Sequence, residues 1–486
     1  MSISGAMNNA LSGLRAVSRS AEIVSSNISN ANTIGYGRRE MELSSASVGG
    51  NGAGVSIDGV SRNVNQVAIN DRRLADGALA LDNQRVGFNE RLGNVLGKTD
   101  DLNSLNGSLT QLETSLIEAA SKPDSDARLS AVVSAAENVV DELSRVSDEI
   151  QNIRMDADQS ISKTVATLND NLQQVEKLNT AIQQQLTSGK DGTALMDQRQ
   201  VIIDKISEVI PLKEYPRDGG KVALISSGGA VLLEGKAAEF GFTPVGVIDA
   251  QMSLAGGTLN GLTMNGLDVT VNSSRSIVGG GELAGMFEVR DELAITAQSQ
   301  VDAIARDLVD RFQDPAVDPT LGATDAGLFT DNGLAFDPLN EVGLSGRLKL
   351  NAAVDPSQGG DTWRIRSGIN AATPNEAGDA SLINAMADAL TGKRVAASGA
   401  FSPASRSASE LTGEFMSLVA ADLIAAEADA TFSRSQVNTM TQLEFTESVD
   451  TDKELQDLLR VEQAYAANAR VIQTLSELLD TLMRSL

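Results

Sequence analysis

Neither cysteine nor histidine occurs anywhere in these 486 residues. Their absence removes His-assisted nucleophiles, CxxC redox pairs and the usual zinc ligand sets together. Aromatic residues are scarce at 3%, against a hydrophobic share of 41%. The interior must therefore be built from Leu, Ile, Val and Ala, the composition of packed helices. Positive charge is also short: 39 Lys and Arg face 65 Asp and Glu, a formal net charge of -26. A surface of that sign repels phosphate backbones and anionic lipid, so nucleic acid is a poor partner. No stretch approaches the ~18 apolar residues of a membrane-spanning helix, so no membrane insertion is expected. The start Met1-Ser2-Ile3-Ser4-Gly5 lacks the basic and apolar regions of a secretory signal, and any export would take another route.

What is present is helical periodicity. Ile3, Met7, Ala10, Leu14, Val17, Ala21, Val24 and Ile28 recur in alternating steps of four and three, the heptad spacing of an apolar seam. Asn30, Asn32 and Gly35 then stop the helix, since Asn and Gly tolerate left-handed backbone. At the other end Leu458, Val461, Tyr465, Asn468, Ile472, Leu475, Leu479, Leu482 and Leu486 form a second seam. A seam cannot bury itself, and the simplest partner for the first helix is the last. Either would span roughly 45 Å at ~1.5 Å per residue. Periodicity alone leaves two outcomes open, an intramolecular bundle or pairing between copies. Asn468 is likewise either a tolerated polar residue or one that fixes register by demanding a partner.

A third seam runs from Leu129 to Ile153, slips near Ala157 and resumes from Val165 to Val175, so that residues 66–210 are expected to be mostly helical. From Tyr215 to Gly281, short runs such as Val222-Ala223-Leu224-Ile225 between glycines predict a small β insert. Helical spacing returns at Val301, Ile304, Leu308 and Phe312. Residues 315–403 are mixed, with an expected strand at Trp363-Ile365 and a helix at Leu382-Leu390, before a last helical stretch carries Leu411, Phe415 and Leu418 to the C-terminal seam. The chain is thus mainly α with a β insert. Its terminal helices, 1–40 with 447–486, pair as a coiled coil. A long helical domain comprises 41–214 and 282–446, and 215–281 forms an outer β-rich domain.

The short motifs point to no catalytic, cofactor-binding or metal-binding residues. Gly49-Gly50-Asn51-Gly52-Ala53-Gly54 is followed by a strand-like run and has no Lys-Ser/Thr pair, so it is expected to be a flexible connector rather than a phosphate loop. Ser160-Ile161-Ser162-Lys163 lies inside the heptad helix without companion motifs. The carboxylates have no calcium-loop spacing and suit a solvated face.

Two segments carry a family resemblance. Ser26-Asn27-Ile28-Ser29-Asn30-Ala31-Asn32-Thr33-Ile34-Gly35-Tyr36 resembles the N-terminal signature of flagellar rod, hook and hook-associated proteins, notably at Asn27, Asn30, Asn32, Thr33, Gly35 and Tyr36. Gln463 to Thr474 is similar to the matching C-terminal signature. Within this axial family, three interior segments resemble the hook-associated protein 1 group: Gly54 to Arg62; Leu195-Met196 with Asp197, Gln198 and Arg199; and Gly280 to Asp291 with Gly281, Gly285, Arg290 and Asp291. Rod and hook proteins, the alternative within the family, pass quickly into β structure and lack a long helical region.

The resemblance implies a non-enzymatic structural subunit of the hook-filament junction in the bacterial flagellum, secreted by the flagellar type III apparatus without a cleaved signal. Its implied partners are further copies of itself, hook protein, hook-associated protein 3 as second junction protein, and an export chaperone on the C-terminal helix. No cofactor is implied. The chain departs from the family at Glu447-Ser448-Val449-Asp450, where a Gly is usual, at Val461, where Tyr is frequent, and over 315–403. Residues 1–38 and 450–486 are expected to be largely disordered alone and to fold against neighbouring subunits. The enzyme alternative, a peptidoglycan hydrolase, would need a carboxylate pair in a cleft, and no segment suggests one.

Overall fold

The computed structural model describes residues 3–48, 51–98, 101–102, 104–273 and 276–485. Leu486 of the expected seam and Gly49-Gly50 of the expected connector lie outside them. Helix α1 (Ile3–Ser29) stops where the Asn30 side chain turns back to donate to the Ser26 carbonyl at 2.9 Å. An antiparallel hairpin follows, β1 (Arg38–Val48) and β2 (Asn51–Asn63), paired from Arg38↔Asn63 outward. This corrects two expectations: the glycine-rich connector enters a strand, and the residues from 41 onward begin as β structure rather than in the helical body. The reason lies against α1. The Val55 amide donates to Ser12 Oγ at 3.2 Å, and Gly54 holds φ +96 where a Cβ would stand 2.0 Å from that hydroxyl. Only glycine allows the hairpin to approach the helix so closely.

Helix α2 (Gln66–Leu96) opens on Asn65, whose side chain caps the amides of Val67 and Ala68. Then come α3 (Leu105–Ser121), α4 (Asp126–Thr187) and α5 (Thr193–Val209). The β insert contains two small antiparallel sheets. The first is the meander β3 (Leu212–Pro216), β4 (Val222–Ser226), β5 (Val231–Glu234) and β6 (Lys236–Ala237). The second is β7 (Phe240–Gly241), β8 (Leu262–Met264) and β9 (Leu267–Val269). Helix α6 (Gly281–Glu288) continues through one π-helical turn, Val289–Leu293, into α7 (Ala294–Phe312).

Beyond α7, β10 (Phe329–Asp331) reaches past α8 (Leu344–Arg347) to pair with β11 (Leu348–Leu350), and α9 (Arg364–Ser367) and α10 (Ser381–Thr391) follow. The strand expected at Trp363-Ile365 is instead the start of α9. Arg364 lies 4.8 Å over the Trp363 ring and donates to the carbonyls of Ile369 and Ala371, which closes the segment into a turn. Helix α11 (Ala408–Ser448) begins with a Ser407/Glu410 capping box, and only Val449 and Asp450 separate it from α12 (Thr451–Ser485).

Helix α4 passes through two apolar cores. Its first half, Leu129 to Ala157, packs with α3, α7, α10 and the start of α11; its second half, Ile161 to Val175, packs with α5, α6 and both sheets of the insert. The register slip near Ala157 is the handover between them. There Asp158 and Arg290 are fully buried and paired at 2.6 Å, and Arg154 donates to the carbonyls of Arg290, Asp249 and Met252. Helix α11 runs antiparallel to α2, with Arg72 Nε 2.5 Å from Glu444 and Ser433 Oγ 2.7 Å from Asp82. Leu143 is wholly buried at the centre of the first core. Leu143→Ala should cost about 2–5 kcal/mol, through lost transfer energy and the cavity left behind. Urea unfolding followed by circular dichroism measures it, and a cost under ~1 kcal/mol would contradict a close-packed spine.

Candidate assembly interface

Helices α1 and α12 pack antiparallel along their length. A Cβ at Gly13 would sit 3.1 Å from the Asn468 carboxamide, and Asn27 donates to Glu454, so the chain runs one way on α1 and the other on α12. Ala10 and Val24 of the expected seam are buried, while Ile3, Met7, Leu14, Val17, Ala21 and Ile28 are half-buried. Ala16 and Ile23 are buried as well and were missed, and the motif residue Asn27 is buried beside them. Helix α1 is covered by the hairpin on a second side, which widens its buried face beyond one heptad stripe.

On α12 the half-buried stripe is Leu458, Val461, Ala464, Asn468, Ile472 and Leu475. It differs from the expected stripe at three residues. Tyr465 is 47% exposed and the smaller Ala464 turns inward, as the close approach at Gly13 requires. Leu479 and Leu482 are exposed because α1 begins at Ile3, ten residues before Gly13, which leaves the last turns of α12 beyond its end. Asn468 donates to its own Ala464 carbonyl at 3.1 Å, so its polar demand is met within α12. Leu455, Leu459 at 59% and Leu478 at 52% exposure are left uncovered on α12 as well.

Register is set elsewhere. The Asn27 side chain is 1% exposed and fills every hydrogen-bonding position it has. Nδ2 donates to the Arg39 carbonyl (3.0 Å) and to Glu454 (3.1 Å), and Oδ1 accepts from the Tyr36 hydroxyl (2.8 Å) and the Arg39 amide (3.0 Å). Glu454, equally buried, also accepts from Arg38 Nε at 2.6 Å. Burial pushes the Tyr36 phenol above its ordinary pKa, against the pull of the Ser26 hydroxyl and the Arg39 guanidinium, which lies 5.0 Å from the ring. Asn30 and Thr33 hydrogen-bond each other in the turn, and Asn32 is exposed.

The turn is tied to the body through Asp197 on α5. Its carboxylate accepts from the Gly37 amide (3.1 Å), Arg39 (3.1 Å) and Arg62 Nε (2.7 Å). Arg62 also donates to Gln200, a partner missed in the sequence, and to the Gly35 carbonyl. Gly35 holds φ +81 where a Cβ would meet Val201 at 2.6 Å. Gln198 is exposed. Arg199 points the other way and donates to Asn179 and the Gly220 carbonyl, and burial among neutral partners draws its pKa down to about 10.

Four further motif residues sit where α6 meets the rest. Gly281 has φ +72 with the Val209 carbonyl 2.4 Å from any Cβ, and Gly285 lies against Gln84 of α2. Arg290 bridges Asp158 and Asp291 and lies 4.9 Å from the Phe287 ring. Nearby, Asp76 and Glu282 have carboxyl pKa values raised by burial, at Asp76 despite its Arg72 partner.

Residues 89–315 match the family model of the flagellar hook-associated protein FlgK helical domain, 447–485 that of the flagellar basal body rod FlgEFG protein C-terminal, and 7–36 that of the flagella basal body rod protein. Flagellar hook-associated protein 1 of Salmonella typhimurium is 28% identical over 243 residues, 49% of this chain and 44% of that protein. The chain thus spans under half of that relative's length. The Bacillus subtilis protein of the same name is 23% identical and aligns over 99% of this chain and 98% of its own. The flagellar hook junction protein FlgK of Burkholderia pseudomallei is similar at a TM-score of 0.43 and 18% identity, over 54% of this chain and 47% of that one, a likeness too loose to bear on the fold.

Asp197→Asn should leave Arg39 and Arg62 facing a neutral amide and loosen the hairpin from α5. Amides of residues 38–63 should then exchange about tenfold faster, ~1.4 kcal/mol, while the α4 core is unchanged; equal exchange would contradict the tie. For pH, the folded pKa values of Asp76 and Glu282 exceed their unfolded ones. The native state therefore binds more protons in that window, and stability rises as pH falls from 7 into the upper carboxylate range. The melting temperature of the body should rise on mild acidification, and Glu282→Gln should flatten that rise; a decline on acidification in the parent would count against it.

Proposed function

We propose that the chain is a member of the flagellar hook-associated protein 1 (FlgK) family and a structural subunit of the hook-filament junction, built into the flagellar axis through its joined terminal helices. The observation that carries this is the apolar surface left uncovered on α12. A helix already paired with α1 still exposes Leu455, Leu459, Val471 and Leu478, and each Leu that reached cover would contribute roughly 1.5–3 kcal/mol. Neighbouring copies laid side by side supply that cover.

Ordering these helices costs about 1–2 kcal/mol per residue in backbone entropy, against a seam that is mostly half-buried. In the proposal residues 1–38 and 450–486 are largely disordered in the free subunit and fold on assembly, so that incorporation and folding are one event. The paired termini form the inner layer, the helices from α2 to α11 lie outside them, and the β insert faces solvent. Hook protein lies on one side and hook-associated protein 3 on the other. Before export through the flagellar type III apparatus, a chaperone holds α12. The role is mechanical rather than enzymatic.

Leu475→Asp places a charge in the half-buried stripe. Cells carrying it should make complete hooks without filaments and release filament monomers, while the purified variant keeps residues 66–440 folded by amide exchange. Normal filaments in those cells would sink the mechanism, and strongly protected termini in the free protein would sink its folding-on-assembly step.

A further inference from the structure

Strand β9 is the outer strand of its sheet. It pairs with β8 through Leu262↔Val269, Thr263↔Asp268 and Met264↔Leu267, and no strand pairs with its other side among the described residues. Along it lies a cavity of about 490 Å³, bounded opposite by the π-helical turn and the start of α7 at Glu292 and Ile295. The cavity's apolar lining includes Leu262, Val271 and the ring of Phe287, which is held edge-on to Phe242 at 5.7 Å. A free sheet edge facing a helix across an apolar trough accepts an extended peptide as an added strand. The unpaired edge groups bond its main chain, and alternate side chains of the added strand point into the trough.

Charge selects the peptide. Asp268 on the strand and Glu292 on the helical wall both line the cavity, are exposed, and pair with no cation among the described residues, whereas Asp291 is engaged by Arg290. Asn272 also lines the cavity, and its Nδ2 is a buried donor with no acceptor among the described residues. A second copy of this chain offers few basic strand segments, because its 39 Lys and Arg are outnumbered by 65 Asp and Glu. We propose that the groove between β9 and α7 binds an extended segment of a different protein as an added strand. An aliphatic side chain of that segment packs on Phe287 and Ile295, and flanking Lys or Arg residues meet Asp268 and Glu292.

The test uses the full-length protein and a fluorescein-labelled, acetylated Lys-Val-Lys-Val-Lys amide, read by anisotropy. Saturable binding is expected at roughly 10–100 µM, with none for the Glu-Val-Glu-Val-Glu counterpart. N-methylation of the interior residues, which removes main-chain donors and keeps the charge, should weaken binding at least about tenfold. The double variant Asp268→Lys, Glu292→Lys should do the same while its circular dichroism stays unchanged. No saturable binding up to roughly 1 mM overturns the proposal. So does equal binding of the N-methylated peptide, or a double variant that binds as the parent does. Self-association of the free protein that the double variant abolishes overturns it in favour of a second copy.

Discussion

The Asn27 carboxamide holds the two ends of the chain in one relation. Two donors and two acceptor positions are all satisfied, by Arg39, Glu454 and Tyr36, inside a site closed to water. A slide of α12 by one turn would take from Asn27 one of its two acceptors and from the buried Glu454 both Asn27 and Arg38, and an unpaired buried carboxylate costs more than a typical hydrogen bond contributes. The apolar stripe could not give this precision, since Ala10, Ala16 and Gly13 on α1 offer little to distinguish one register from the next. The stripe supplies attraction and the polar cluster supplies position. Arg38 and Arg39, adjacent in sequence, divide the labour: one meets Glu454 on α12, the other Asp197 on the body.

The same separation of roles appears in the body. Helix α4 collects apolar side chains along 62 residues, yet its two halves serve different cores. Between them stand Asp158 and Arg290, an ion pair from which water is excluded, with Arg154 holding three carbonyls beside it. Arg290 comes from the π-helical turn that joins α6 to α7. The inserted residue of such a turn redirects a helix face, and here α6 packs on the second core while α7 packs on the first.

Heptad spacing made α1, α4 and α12 legible, because a seam repeats along one element and needs no knowledge of the fold. The choice between Ala464 and Tyr465 was not legible. It turns on Gly13, which is distant in sequence and close in space. The charge clusters were hidden for the same reason: Asp197 meets Arg39 and Arg62 across more than a hundred residues, and no local pattern pairs them. The hairpin over 38–63 was misjudged because its glycines suggested slack where Gly54 is a contact. Around Trp363, a brief apolar run suited either strand or helix until Arg364 closed the turn. The motif glycines at 35, 281 and 285 could be recognised by resemblance alone; the backbone reasons for them emerged only with their neighbours in place.

The body leaves the terminal helix pair by one route, the hairpin after α1, and returns to it by another, the two residues between α11 and α12. A mass hung from a rod by a single strap swings and twists freely. Held by two, it transmits torque, since rotation of the rod must load one strap in tension and the other in compression. The Asp197 clasp stiffens the first strap, and the pairing of Arg72 with Glu444 anchors the second just before it rejoins the rod.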